Sequence, residues 1–151
     1  KIAMEGVSPQ LIKQQISAML TNNSRHNALF DHLITYAWCL EYGTERQWHA
    51  HLFLFFNGQK VREDIVYSLE VCKYWVGVIT QRAGTGFSCN AIQDQYKKNG
   101  IGMVNRGDTD KIQALKEVTK YICKQDLNIE QGQWRDQVGR KIRTMFIGRM
   151  K

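Results

Sequence analysis

Apolar and polar side chains alternate along this chain with two different periods, and the change of period marks out its elements. Residues 34–42 and 48–56 are apolar runs of strand length, joined by Gly43-Thr44-Glu45-Arg46-Gln47, a loop short enough to close a hairpin. Ahead of them Ser8-Pro9 reads as an N-cap followed by a first-turn proline. Leu11, Ile12, Ile16, Met19 and Leu20 then recur at helical spacing up to Asn22-Asn23. Residues 61–80 predict a second helix, with Glu63 and Asp64 in its first turn and a buried stripe of Ile65, Leu69, Cys72, Val76 and Ile79. Its outer face reads as mostly polar. Ala83-Gly84-Thr85-Gly86 reads as a flexible connector, because no strand-to-helix setting and no third glycine make it a nucleotide fingerprint. Residues 87–90 and 101–104 predict short strands on either side of the basic turn Lys97-Lys98-Asn99-Gly100, the second with glycines that point to close backbone approach or a bulge. Asp108-Thr109-Asp110 caps a third helix reaching Lys124, with Ile112, Leu115, Val118, Thr119 and Ile122 turned inward. Residues 126–151 are basic with few apolar anchors and predict a partly loose tail, and no strand pattern precedes the Ser8 helix. Hairpin strands and segregated helices predict an α+β fold: a central antiparallel sheet with helices mainly on one face and the other face left for chemistry.

At 151 residues the chain fits one domain, 1–151, able to bury its own core without a staple. Its beginning at Lys1 rather than Met implies a lost upstream segment. A net charge of +7 and a pI near 9.3 favour a polyanionic partner, most simply nucleic acid. Cys39, Cys72, Cys89 and Cys123 form no C-x-x-C pair, which argues against a zinc knuckle or ribbon. They read as small reduced hydrophobes of a cytosolic protein. No apolar stretch reaches spanning length and no leader pattern opens the chain, so neither membrane insertion nor secretion is indicated.

The chemistry sits in Trp48-His49-Ala50-His51-Leu52-Phe53-Leu54-Phe55-Phe56. A strand sends alternate side chains to opposite faces, so His49 and His51 point the same way and can grip one metal ion. Glu41 lies eight residues before the first of them, and the hairpin folds its carboxylate toward both imidazoles. Two nitrogens and one oxygen make an open metal site, since burying three such groups without a role is costly. The same donor set suits Mn2+ and also Fe(II), so a mononuclear iron oxygenase is an alternative, one that explains neither the basic charge nor Tyr121. Tyr121-Ile122-Cys123-Lys124 places a phenol and an amine three residues apart, on nearly one side of the third helix. A phenol with a pKa of about 10 needs help to attack at neutral pH. A divalent ion on a phosphate and the Lys124 ammonium supply it.

Leu40-Glu41-Tyr42-Gly43, the His49-Ala50-His51 run, Gly100-Ile101-Gly102-Met103-Val104 and Tyr121-Ile122-Cys123-Lys124 together resemble the HUH superfamily of rolling-circle replication initiators and relaxases. More narrowly they resemble the replication-initiation proteins of filamentous phages, the inoviruses, and their prophage-encoded relatives, over residues 27–125. The resemblance implies a ferredoxin-like or RRM-like sheet, with His49, His51 and Glu41 binding Mg2+ or Mn2+, Tyr121 as nucleophile and Lys124 assisting. It implies metal-dependent nicking and strand transfer of single-stranded or origin DNA through a 5'-phosphotyrosine, in the cytoplasm of a bacterial host. A host polymerase and helicase follow as partners, and no small-molecule cofactor is needed. No second Tyr follows at Tyr-x-x-x-Tyr spacing, so a one-tyrosine mechanism is implied. Lys97, Lys98, Arg106, Arg140, Lys141 and Arg143 are candidate strand contacts, and Trp48 and Trp75 suit base stacking or core packing equally. A non-catalytic DNA-binding regulator on the same scaffold is the alternative function.

Overall fold

The computed structural model describes residues 1–4, 6–22, 28–43, 47–124 and 143–149, without the side chains of Thr21, Asn22, Tyr121, Cys123, Lys124 and Arg149. In chain order the elements are β1 (Ile2–Met4), α1 (Pro9–Ser17), β2 (Leu33–Gly43), β3 (Gln47–Phe56), α2 (Asp64–Tyr74), β4 (Gly84–Gly86), α3 (Thr109–Lys124) and β5 (Met145–Arg149). They build a five-stranded sheet in the order β4-β1-β3-β2-β5, every neighbouring pair antiparallel. The first four strands with α1 and α2 follow the split β-α-β ferredoxin-like pattern, and β5 adds an edge beside β2.

The hairpin and the first helix form as their patterns dictate. Ser8 caps α1, its hydroxyl accepting the Leu11 amide at 3.3 Å, and Pro9 occupies the first turn where its missing N–H costs nothing. Both α1 and α2 end in π-helical turns, Ala18–Asn22 and Trp75–Ile79. One face of the sheet carries Tyr36, Trp38, Leu40 and Tyr42 from β2 and Trp48, Ala50, Leu52, Leu54 and Phe56 from β3. These pack on Ile12, Ile16, Met19 and Leu20 from the first helical segment and on Val71 and Trp75 from the second. Helices α1 and α2 therefore cover this face, and no described residue of α3 joins that core.

Five expectations from the sequence are corrected. Ile2–Met4 is a strand, fully buried between β3 and β4, where three apolar residues are too few to display a period. The glycine-rich connector is β4, and residues 87–90 are not a strand. A Cβ on Gly84 would stand 2.7 Å from Trp75 Nε1, so glycine lets the end of the second helix settle onto the strand. Residues 101–104 are irregular rather than extended in a sheet, and Gly102 takes φ +87°. On α2, Ile65 and Leu69 face solvent at 39% and 41% exposure while Val71 and Trp75 are buried, because aliphatics surround this helix and its period does not select the inner side. Of residues 126–151, expected to be partly loose, 126–142 lie outside the described residues, and Met145–Arg149 form β5, whose Phe146 stacks on Trp38 with ring centroids 4.0 Å apart.

Asp108 caps α3 as expected, accepting the Lys111 amide at 3.0 Å. Ile112, Leu115, Val118 and Ile122 are half-buried, but Thr119 is exposed and turns its hydroxyl back onto the Leu115 carbonyl at 2.8 Å. Cys39 is buried, and Cys72 and Cys89 are half-buried; burial pushes the Cys72 thiol upward in pKa, as suits a packing residue.

Candidate metal centre on the open sheet face

Alternation along β3 sends Trp48, Ala50 and Leu52 into the helix-covered core and therefore His49, His51, Phe53 and Phe55 to the other face. On β2 the residues paired with these are Glu41, Cys39, Ala37 and Thr35 in turn. Glu41 stands directly across from His49 and one diagonal step from His51. A one-residue slip would send Trp48 and Ala50 to the open face and the imidazoles into the core, so hydrophobic burial itself fixes the ligand register.

The three side chains converge. Glu41 Oε2 lies 2.8 Å from His51 Nε2 and 3.3 Å from His49 Nε2, and one potential ligand atom from each residue falls within 4.8 Å of the others. Both histidines are buried and Glu41 is mostly covered. His49 Nδ1 lies 3.2 Å from the Gln47 carbonyl, which can only accept, so Nδ1–H donates there and Nε2 is the nitrogen turned toward the glutamate. His51 is held neutral: burial first, then the charges of Lys1 and His49, push its pKa down to about 3. Two imidazole nitrogens and a carboxylate oxygen are a donor set that fits a divalent ion. Metal binding would replace the proton His51 shares with Glu41.

Two features here escape the sequence reading. The Gln47 carbonyl orients His49, and the Gln47 side chain accepts the Gly6 amide at 3.1 Å, tying the hairpin end to the turn after β1. Lys1, next to the Ile2 that pairs with Ala50, lies near enough to His51 for its charge to lower the imidazole pKa. Only recognition of β1 could have found it.

Among the other candidates, Tyr121 and Lys124 lie in the last turn of α3, and their side chains fall outside the described residues, as do Arg140 and Lys141 entirely. Lys97 and Arg106 are exposed on the segment leading to α3. Lys98 is engaged by Glu117 at 2.8 Å, a tie between that segment and α3. Arg143 donates to the Met145 carbonyl at 2.9 Å and sits 5.1 Å from the Phe146 ring, on the helix-covered side of β5, away from the histidines. Trp75 is fully buried and Trp48 nearly so, so both are core residues and neither is open to a base.

No curated protein and no solved structure matches the chain. A family model described as a replication-associated protein of the ORF2 type matches residues 4–126, a span that takes in the hairpin, α2 and the whole of α3. The match agrees with the resemblance to rolling-circle replication initiators and carries a role in DNA replication. The chain belongs to this ORF2-type family of replication-associated proteins.

Proposed function

We propose that the protein nicks one DNA strand at a replication origin and later rejoins it, using a divalent ion held by Glu41, His49 and His51 and Tyr121 as the nucleophile. The observation that carries this reading is the convergence of two imidazoles and a carboxylate on the face of a replication-family sheet turned away from α1 and α2. Mg2+ or Mn2+ suits a set that mixes imidazole with carboxylate, and bound there it supplies charge neutralisation at the scissile phosphate.

The protein's own groups do the rest. The Tyr121 oxygen attacks phosphorus and loses its proton to solvent, while the bond from phosphorus to the 3' oxygen breaks and that oxygen leaves as a hydroxyl after taking a proton. The phosphodiester energy is conserved in the 5'-phosphotyrosine, so a free 3' hydroxyl reverses the step without a nucleotide cofactor. Lys124, three residues on along α3, steadies a phosphate oxygen or favours the phenolate. The released 3' hydroxyl serves a host polymerase, and the +7 charge supports binding of the displaced strand.

The test is incubation with circular single-stranded DNA and Mn2+, followed by denaturing electrophoresis. A covalent protein–DNA adduct that disappears on Tyr121→Phe, with DNA binding retained, is the expected result. Absence of an adduct with DNA binding intact would make the chain a non-catalytic regulator on the same scaffold.

A further inference from the structure

The open sheet face does not end at the metal centre. Continuing along β3 beyond His51, Phe53 and Phe55 point the same way as the histidines, and across β2 and β5 they are met by Ala37 and Thr35 and then, beyond Ala37, by Ile147. Met145 joins the same face opposite Cys39. This half is uncovered: Phe55 and Met145 are each 37% exposed and Ile147 is 72% exposed. A contiguous apolar patch next to a polar site is unusual on a soluble surface and marks a binding site.

We propose that Phe53, Phe55, Met145 and Ile147 form a base-binding platform for the single strand whose phosphate lies at the metal centre, a proposal that rests on the nicking reading. Steps of two residues place His51, Phe53 and Phe55 roughly 7 Å apart along the strand. Sheets of this fold type stack two or three unpaired bases on aromatics set out in that way. Ala37, the small residue between the β3 rings and Ile147, leaves the floor low enough for a flat base. A second copy of the chain is the competing occupant of an apolar patch, but a charge of +7 on each copy opposes self-association and favours a polyanion. Two of the four residues come from β5, beyond residues 4–126 that the family model matches.

The experiment is fluorescence anisotropy of a labelled oligothymidine with the full chain in EDTA, where neither a metal ion nor Tyr121 is needed, so its outcome is independent of whether nicking occurs. Phe55→Ala is expected to weaken binding roughly 5- to 150-fold, the equivalent of about 1–3 kcal/mol of stacking per base, with the salt slope unchanged because no charge is removed. Ile147→Trp, at a site too exposed to compromise folding, is expected to tighten binding and to show Trp emission quenched by the oligonucleotide. Wild-type affinity in Phe55→Ala together with unquenched emission in Ile147→Trp would overturn the platform. So would a wild-type dimer that Phe55→Ala converts to monomer without loss of DNA affinity.

Discussion

The β2–β3 hairpin and α3 carry the two halves of the proposed chemistry, and they are held by different forces. The hairpin is locked by a ladder running from Leu33 opposite Phe56 to Gly43 opposite Gln47, with Trp38, Leu40, Trp48 and Ala50 buried beneath it. Moving the ligands means moving that core. Helix α3 has half-buried side chains, an exposed ion pair from Lys98 to Glu117, and one tight steric contact, in which buried Gly100 lies against its backbone. A Cβ on Gly100 would stand 2.6 Å from Leu115 Cα, a distance no side chain tolerates. The contrast teaches that the metal half is preorganised by register, whereas the nucleophile half is set by how closely one loop can approach one helix.

The sharpest way to break this contrast is to remove a ligand. Glu41→Ala is expected to lower Mn2+ affinity by more than ~100-fold in calorimetric titration, beyond what loss of a supporting partner costs, while the far-ultraviolet circular dichroism stays that of the wild type. Adduct formation falls with it. Tyr121→Phe, by comparison, is expected to leave Mn2+ affinity intact, and a loss of metal in that variant would mean that the two halves are not separate.

Gly100→Ala tests the other half and comes next in size. Overpacking against the Leu115 backbone is expected to cost about 1–3 kcal/mol of stability, seen in denaturant unfolding, or to displace α3. The informative reading is the split: adduct yield drops and Mn2+ affinity does not change. Equal loss of both would show that α3 supports the hairpin after all.

The same contrast explains what the sequence could reveal. Glu41, His49 and His51 were legible because period-two alternation and a short loop leave one register that buries Trp48 and Ala50, and that register brings the three together. Asp108 was legible as a cap because the rule is local. What could not be read depended on long-range partners. Ile2–Met4 is a strand because it pairs with both β3 and β4, and Gly84–Gly86 because it pairs with β1 where the Trp75 indole leaves room only for glycine. Met145–Arg149 lies in a basic stretch, and only Trp38, more than a hundred residues earlier, makes Phe146 an anchor. On α2 the sequence offered too many aliphatics to choose a side, and Ile65 and Leu69 turned outward.

Within the hairpin, side chains and backbone can be separated. Gln47→Ala removes the acceptor for the Gly6 amide but leaves the carbonyl that orients His49. The expected cost is about 1 kcal/mol of stability by chemical denaturation, with Mn2+ affinity unchanged. A fall in metal affinity would mean that the side chain, through Gly6, also sets the ligand geometry.

The smallest effect expected is that of Lys98→Ala. Its ion pair with Glu117 is exposed on both sides, and the hydrogen bond from Lys98 is the main cause of the lowered Glu117 pKa, with Gln113 contributing. Such pairs contribute little because water and salt screen them. No measurable change in Tm is expected at physiological ionic strength, and wild-type protein should not lose stability as salt is raised. Adduct formation should also be unaffected, since α3 is placed by the Gly100 contact. A Lys98→Ala variant that lost adduct formation as Gly100→Ala is expected to would show instead that charge holds the proposed nucleophile helix, and high salt would then abolish adduct formation by the wild-type protein in the same way.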